Sequence, residues 1–133
     1  MNANVERNMI AARSAGCQRM TCSVLDWACP PSDSSQLHFA AGEIPDVILV
    51  ADCVWLEELV APLVGTIQAI LQLCTATTAP RVIISYQRRG KDAHDAFMKG
   101  LQETFDAIEE VTRSAEPGLN KPDVMHIFEC KNV

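Results

Sequence analysis

The chain has six glycines in 133 residues, at 16, 42, 65, 90, 100 and 118, and none of them forms a Gly-x-Gly pattern. A glycine-rich loop that brings backbone close to a nucleotide is therefore missing from the sequence. Long hydrophobic runs are missing too. The longest, Val47 to Ala51, is strand-sized, far short of the roughly 18 apolar residues of a membrane helix. Met1 to Ala15 carries Asn, Glu and Arg in place of an apolar segment, so no signal peptide is read there. Basic residues are in deficit: 11 Lys and Arg stand against 17 Asp and Glu, a net charge of -6. That balance disfavours a nucleic-acid-binding surface and leaves room for a basic partner.

No Cys-x-x-Cys pair occurs among Cys17, Cys22, Cys29, Cys53, Cys74 and Cys130, and the last three lie in apolar segments. Buried, reduced thiols in a cytosolic protein are the expectation, in preference to disulfides. The three histidines, His38, His94 and His126, are scattered. They argue against a zinc site, and no Ser, Cys or Asp arrangement makes a triad with them. They are read as structural: His38 in a loop, His94 on a helix surface, His126 in a strand.

What is present suits one globular domain. Apolar residues make up 48% and charged residues 21%, enough for a core in a chain of this length. Val5, Met9 and Ala12 form a helical stripe within Met1 to Ala15, which Gly16 closes. Thr21 to Leu25 is a short β-prone run, followed by Asp26-Trp27 and a loop from Pro30 to Ser35. Val47-Ile48-Leu49-Val50 lacks polar alternation, which predicts a strand buried on both faces. Leu56 to Cys74 carries a helical apolar stripe, with Pro62 in the first turn of its main helix. Arg81 to Tyr86 reads as another buried strand, and Ala93, Phe97, Leu101 and Phe105 share one helix face. Two strands, near Ala107 to Thr112 and Val124 to Cys130, flank a turn-rich Ser114 to Pro122 and read as an antiparallel pair. Thr75 to Thr78 is a polar connector. Alternating strands and helices predict an α/β fold with a mostly parallel sheet.

Three segments occur in order at plausible separations: Val24-Leu25-Asp26-Trp27, Asp46 to Trp55 (DVILVADCVW), and Val82 to Arg89 (VIISYQRR). Together they resemble the seven-β-strand protein-lysine methyltransferases, the group called methyltransferase family 16 or methyltransferase-like 21. The resemblance covers nearly the whole chain. It implies a Rossmann-like sheet of order 3-2-1-4-5-7-6 with strand 7 antiparallel. Thr21 to Leu25 would be strand 3, Asp46 to Ala51 strand 4 and Arg81 to Tyr86 strand 5, with the last pair strands 6 and 7. On this mapping, residues 1–133 are a partial methyltransferase domain. Strands 1 and 2, and the glycine-rich unit that holds the cofactor, are expected upstream of Met1.

The resemblance implies S-adenosylmethionine as cofactor and a protein lysine as substrate. Asp26 and Trp27 would border the adenine, and the small Ala51 would let the cofactor approach the end of strand 4. Asp52 would hold the cofactor's amino group or orient the lysine amine; a helix N-cap is the competing role. Trp55 stands where the family often has Tyr, and its indole offers a cation–π wall or simply core packing. Tyr86, Arg88 and Arg89 line a substrate mouth or form a solvated turn. Glu57-Glu58 and Glu109-Glu110 are exposed faces, and the acidic pairs able to meet a basic protein.

The expected activity is N-methyl transfer, with a small-molecule amine as the alternative acceptor. The chain alone is expected to be inactive, because strand 3 reaches strand 4 only across strands 2 and 1. A non-catalytic form acting by binding is the alternative class. Exposed strand edges would then favour self-association.

Overall fold

The computed structural model describes residues 2–37, 44–74, 79–111 and 125–131. His38, the connector at 75–78, the turn-rich 114–122 and the expected strand ends at 112 and 124 lie outside them. Helix α1 runs from Asn2 to Ser14. Val5, Met9 and Ala12 are its half-buried positions, as their spacing predicts. Gly16 ends it in left-handed backbone, φ 89°. The Cys17 amide then bonds Ala12 O at 2.9 Å and the Gly16 amide bonds Arg13 O at 3.0 Å. These two bonds satisfy carbonyls that a helix end otherwise leaves open.

A four-stranded sheet follows, built from β1 (Val47–Ala51), β2 (Arg81–Gln87), β3 (Ala107–Glu110) and β4 (Met125–Lys131). Its order is β1-β2-β4-β3. β1 and β2 are parallel, so they need a crossover, and α2 (Val60–Leu73) supplies it. β4 inserts between β2 and β3 and runs antiparallel to both. This is the 4-5-7-6 portion of the sheet order that the resemblance implied.

Helix α2 places Pro62 in its first turn, where the absent N–H costs no bond. Its buried positions are Val60, Leu63, Val64, Thr66, Ile67 and Ile70, and the Thr66 hydroxyl donates to Pro62 O at 2.9 Å. Helix α3 (Lys91–Thr104) buries Ala93, Phe97 and Leu101, with Phe105 just beyond its end. Phe97 and Leu101 have no exposed surface, worth about 1.5–3 kcal/mol each in burial. The two helices approach closely at Gly100, where a Cβ would stand 2.9 Å from a Val64 methyl. Both cover one face of the sheet, against Val50, Val82, Ile84, Tyr86, Phe128 and Cys130.

Three expectations are corrected. Thr21 to Leu25 forms no strand. A β-prone run becomes a strand only when a neighbour takes its amides and carbonyls, and none of the described strands pairs with this segment. β1 is not buried on both faces either: Leu49 is 73% exposed, and Val50 is its one buried residue. An apolar run records what a strand is suited to cover; whether a layer lies over it is decided elsewhere. The third concerns the thiols, of which only Cys130 is buried. Cys53 and Cys74 are half-buried, while Cys22 and Cys29 are exposed. Burial, then the charge of Glu129, pushes the Cys130 thiol up to about 11.

Candidate active site

β1 ends at Ala51, and the chain then turns sharply. The Asp52 amide still donates to Ser85 O at 2.7 Å, extending the parallel ladder by one bond. At the same residue φ is 51°, the one left-handed non-glycine among the described residues. Asp tolerates that region better than most L-residues. The turn swings its carboxylate toward the segment after β2, where Oδ2 accepts from Arg89 Nη2 at 2.6 Å. Both side chains are about half exposed, 54% for Asp52 and 46% for Arg89.

The next residues anchor the turn. Cys53 donates its thiol to Ala51 O at 3.2 Å, and burial pushes that thiol above its ordinary range. Val54 is 3% exposed and sits in the core, so Trp55 must point outward. Its indole is 45% exposed, which sets core packing aside as its role. Ala51 is exposed and small at the same edge.

Asp26 and Trp27 belong to a separate turn. The Ala28 amide donates to Asp26 Oδ1 at 2.9 Å, and the Cys29 amide to Asp26 O at 3.1 Å. The carboxylate therefore organises its own loop, while Trp27 packs half-buried against the core. Tyr86 is corrected: at 1% exposure it lines no mouth. Its hydroxyl instead meets His94 Nδ1 at 2.7 Å. His94 is correspondingly half-buried and not a surface residue. Desolvation pushes the Tyr86 phenol up to about 12, with Arg88 opposing and Glu110 adding to the rise. The sequence named Arg89 without finding its partner, because 37 residues separate it from Asp52. A residue three before Phe97 on one helix face was the available signal that His94 turns inward.

The C-terminal end of a parallel strand pair is where open α/β sheets take ligands. What it presents here is a carboxylate holding a cation, next to a small residue and an outward indole. Such an edge fits an ammonium group. Left-handed backbone occurs among the described residues at Gly16 and Asp52 alone. Among those residues, too, no cluster of His, Cys, Asp and Glu could hold a metal ion, and no helix is long and apolar enough to cross a membrane.

Fold and edge together define a mixed α/β protein with a ligand-type strand end. The family model for lysine methyltransferases matches residues 1–104, and the chain belongs to that family. Family membership implies a Rossmann-like methyltransferase fold and S-adenosylmethionine as the methyl donor. No curated protein matches the chain directly.

Proposed function

We propose that this chain carries the reaction-side edge of an S-adenosylmethionine-dependent N-methyltransferase acting on protein lysine. The supporting observation is Asp52, a carboxylate turned out at the end of β1 and already holding a guanidinium at 2.6 Å. A lysine ammonium, or the cofactor's own amino group, takes Arg89's place there. Trp55, exposed three residues after Asp52, offers its indole to a cationic centre. Ala51 leaves room for the cofactor, and Asp26 and Trp27 border its adenine. The bound cofactor supplies a methyl group on a sulfonium. The chain's part is to align the amine and to strip water from it, which lowers the lysine pKa.

The 133 residues alone do not perform this transfer, on our reading, since the sequence holds no Gly-x-Gly loop. The protein acts in the cytoplasm on a protein substrate and takes no nucleic acid. The bare β1, with Leu49 73% exposed, favours a second reading beside the first. In it the chain on its own is a non-catalytic form that self-associates through that strand.

The coding sequence before Met1 provides the test. If it encodes an in-frame glycine-rich strand-loop-helix, the extended protein with tritium-labelled cofactor should label lysines in a cell lysate. An extended protein that binds cofactor and labels only small amines would replace the protein substrate with a small-molecule one. Absence of such a unit would favour the non-catalytic form.

A further inference from the structure

Helices α2 and α3 run parallel to each other along the sheet. Val64 approaches Gly100, and the Gln68 amide donates to Thr104 Oγ1 at 3.0 Å, so one offset of 36 residues holds along the pair. On their outer side the two helices leave a groove of about 430 Å³. Val60 and Val64 form its apolar floor. Its walls are low because Ala61 and Gly65 of α2 face Ala96 and Gly100 of α3. Glu57 stands at one end, two residues after the exposed Trp55, and Glu103 stands at the other.

The two glycines differ in what they make room for. Gly100 makes room for Val64, since a Cβ there would stand 2.9 Å from a valine methyl. Gly65 makes room for nothing described in the chain, because a Cβ would meet no atom within 4 Å. A glycine inside a helix weakens it, and α2 carries this one near its middle. The space over Gly65 is therefore open to something outside the chain.

Charge on the rim sets what that partner is. Glu57 and its neighbour Glu58 are exposed and pair with no cation among the described residues. Lys99 turns to Glu103, Nζ to Oε1 at 3.9 Å, which leaves the rim negative. A second copy of the chain would bring its own charge of -6 to that rim, which disfavours it. We infer that the α2–α3 groove docks a basic amphipathic segment of a partner protein. An apolar side chain of that segment fills the trough over Gly65, and a Lys or Arg meets Glu57. The groove opens beside the turn that carries Asp52 and Trp55, yet docking in it requires no methyl transfer and is tested apart from it.

The test is a titration of the whole chain, followed by nitrogen-15 amide spectra, with a short peptide of Leu, Ala and Lys whose Leu residues have helical spacing. Shift changes should centre on residues 57–68 and 96–103. The same peptide with Glu in place of Lys should not bind. Glu57→Gln combined with Glu103→Gln should weaken the Lys peptide about tenfold at low salt, and added salt should narrow that difference. Gly65→Leu fills the trough and should also weaken binding about tenfold, with the amide spectrum of the folded chain retained. Shift changes elsewhere, equal binding of the Glu peptide, or full affinity in Gly65→Leu would overturn the inference. So would a dimer of the chain itself that Gly65→Leu disperses, since the groove's occupant would then be a second copy.

Discussion

Arg89 Nη2 and Asp52 Oδ2 stand 2.6 Å apart across the C-terminal ends of two parallel strands, at the one non-glycine residue with left-handed backbone among those described. Charge and backbone can be separated there. Arg89→Gln should cost no more than about 0.5–1 kcal/mol in urea unfolding, because the pair is half exposed. Asp52→Ala should cost roughly 1–2 kcal/mol, since alanine lacks the side chain that eases φ 51°. Asp52→Gly should recover most of that loss. Equal losses for Ala and Gly would mean that the ion pair, and not the backbone, holds the turn.

Gly100 and Gly65 predict opposite signs for the same substitution. A Cβ at Gly100 would meet Val64 Cγ2 at 2.9 Å, and the branched valine has little freedom to turn away. Gly100→Ala should destabilise by about 1–3 kcal/mol, and Val64→Ala should relieve much of it in a double-mutant cycle. At Gly65 nothing lies within 4 Å. Gly65→Ala should therefore stabilise α2 by about 0.5–1 kcal/mol in urea unfolding.

Leu49 tests the bare strand. At 73% exposure, Leu49→Lys should leave stability within about 0.5 kcal/mol. It should also lower the self-association seen by sedimentation velocity at raised concentration. A loss of several kcal/mol would show that this face is covered in solution.

Tyr86 is the single tyrosine, so absorbance near 295 nm reports it alone. Its phenol should resist ionisation until about pH 12 in the folded chain. A raised folded-state pKa means that its stability contribution is complete below about pH 10, the free-tyrosine value. The contribution is lost as pH rises toward 12. Phenolate formation near pH 10 with the fold intact would contradict the buried placement.

What the sequence disclosed follows from periodicity. The stripes of α2 and α3 name their buried residues because a helix repeats its face within a few residues. The strand order was implied by the family resemblance that three short motifs carried, and the sheet β1-β2-β4-β3 matches it where it is described. Thr21 to Leu25 and Leu49 misled for one reason. Pairing and cover depend on neighbours that a local pattern does not contain. Long-range partners were hidden likewise: Asp52 with Arg89, and Glu110 with His126, are set by the fold and not by spacing. In the site, Ala51, Asp52 and Trp55 were legible as a strand end because an acidic residue follows an apolar run.

Calorimetric titration of the 133-residue chain with S-adenosylmethionine tests the central claim most directly. The claim is that these residues carry one edge of a methyltransferase site without its cofactor clamp. The account predicts no tight binding, with the heat of dilution alone. Micromolar binding that Asp52→Asn weakens would contradict it, and would show a complete cofactor site within this chain.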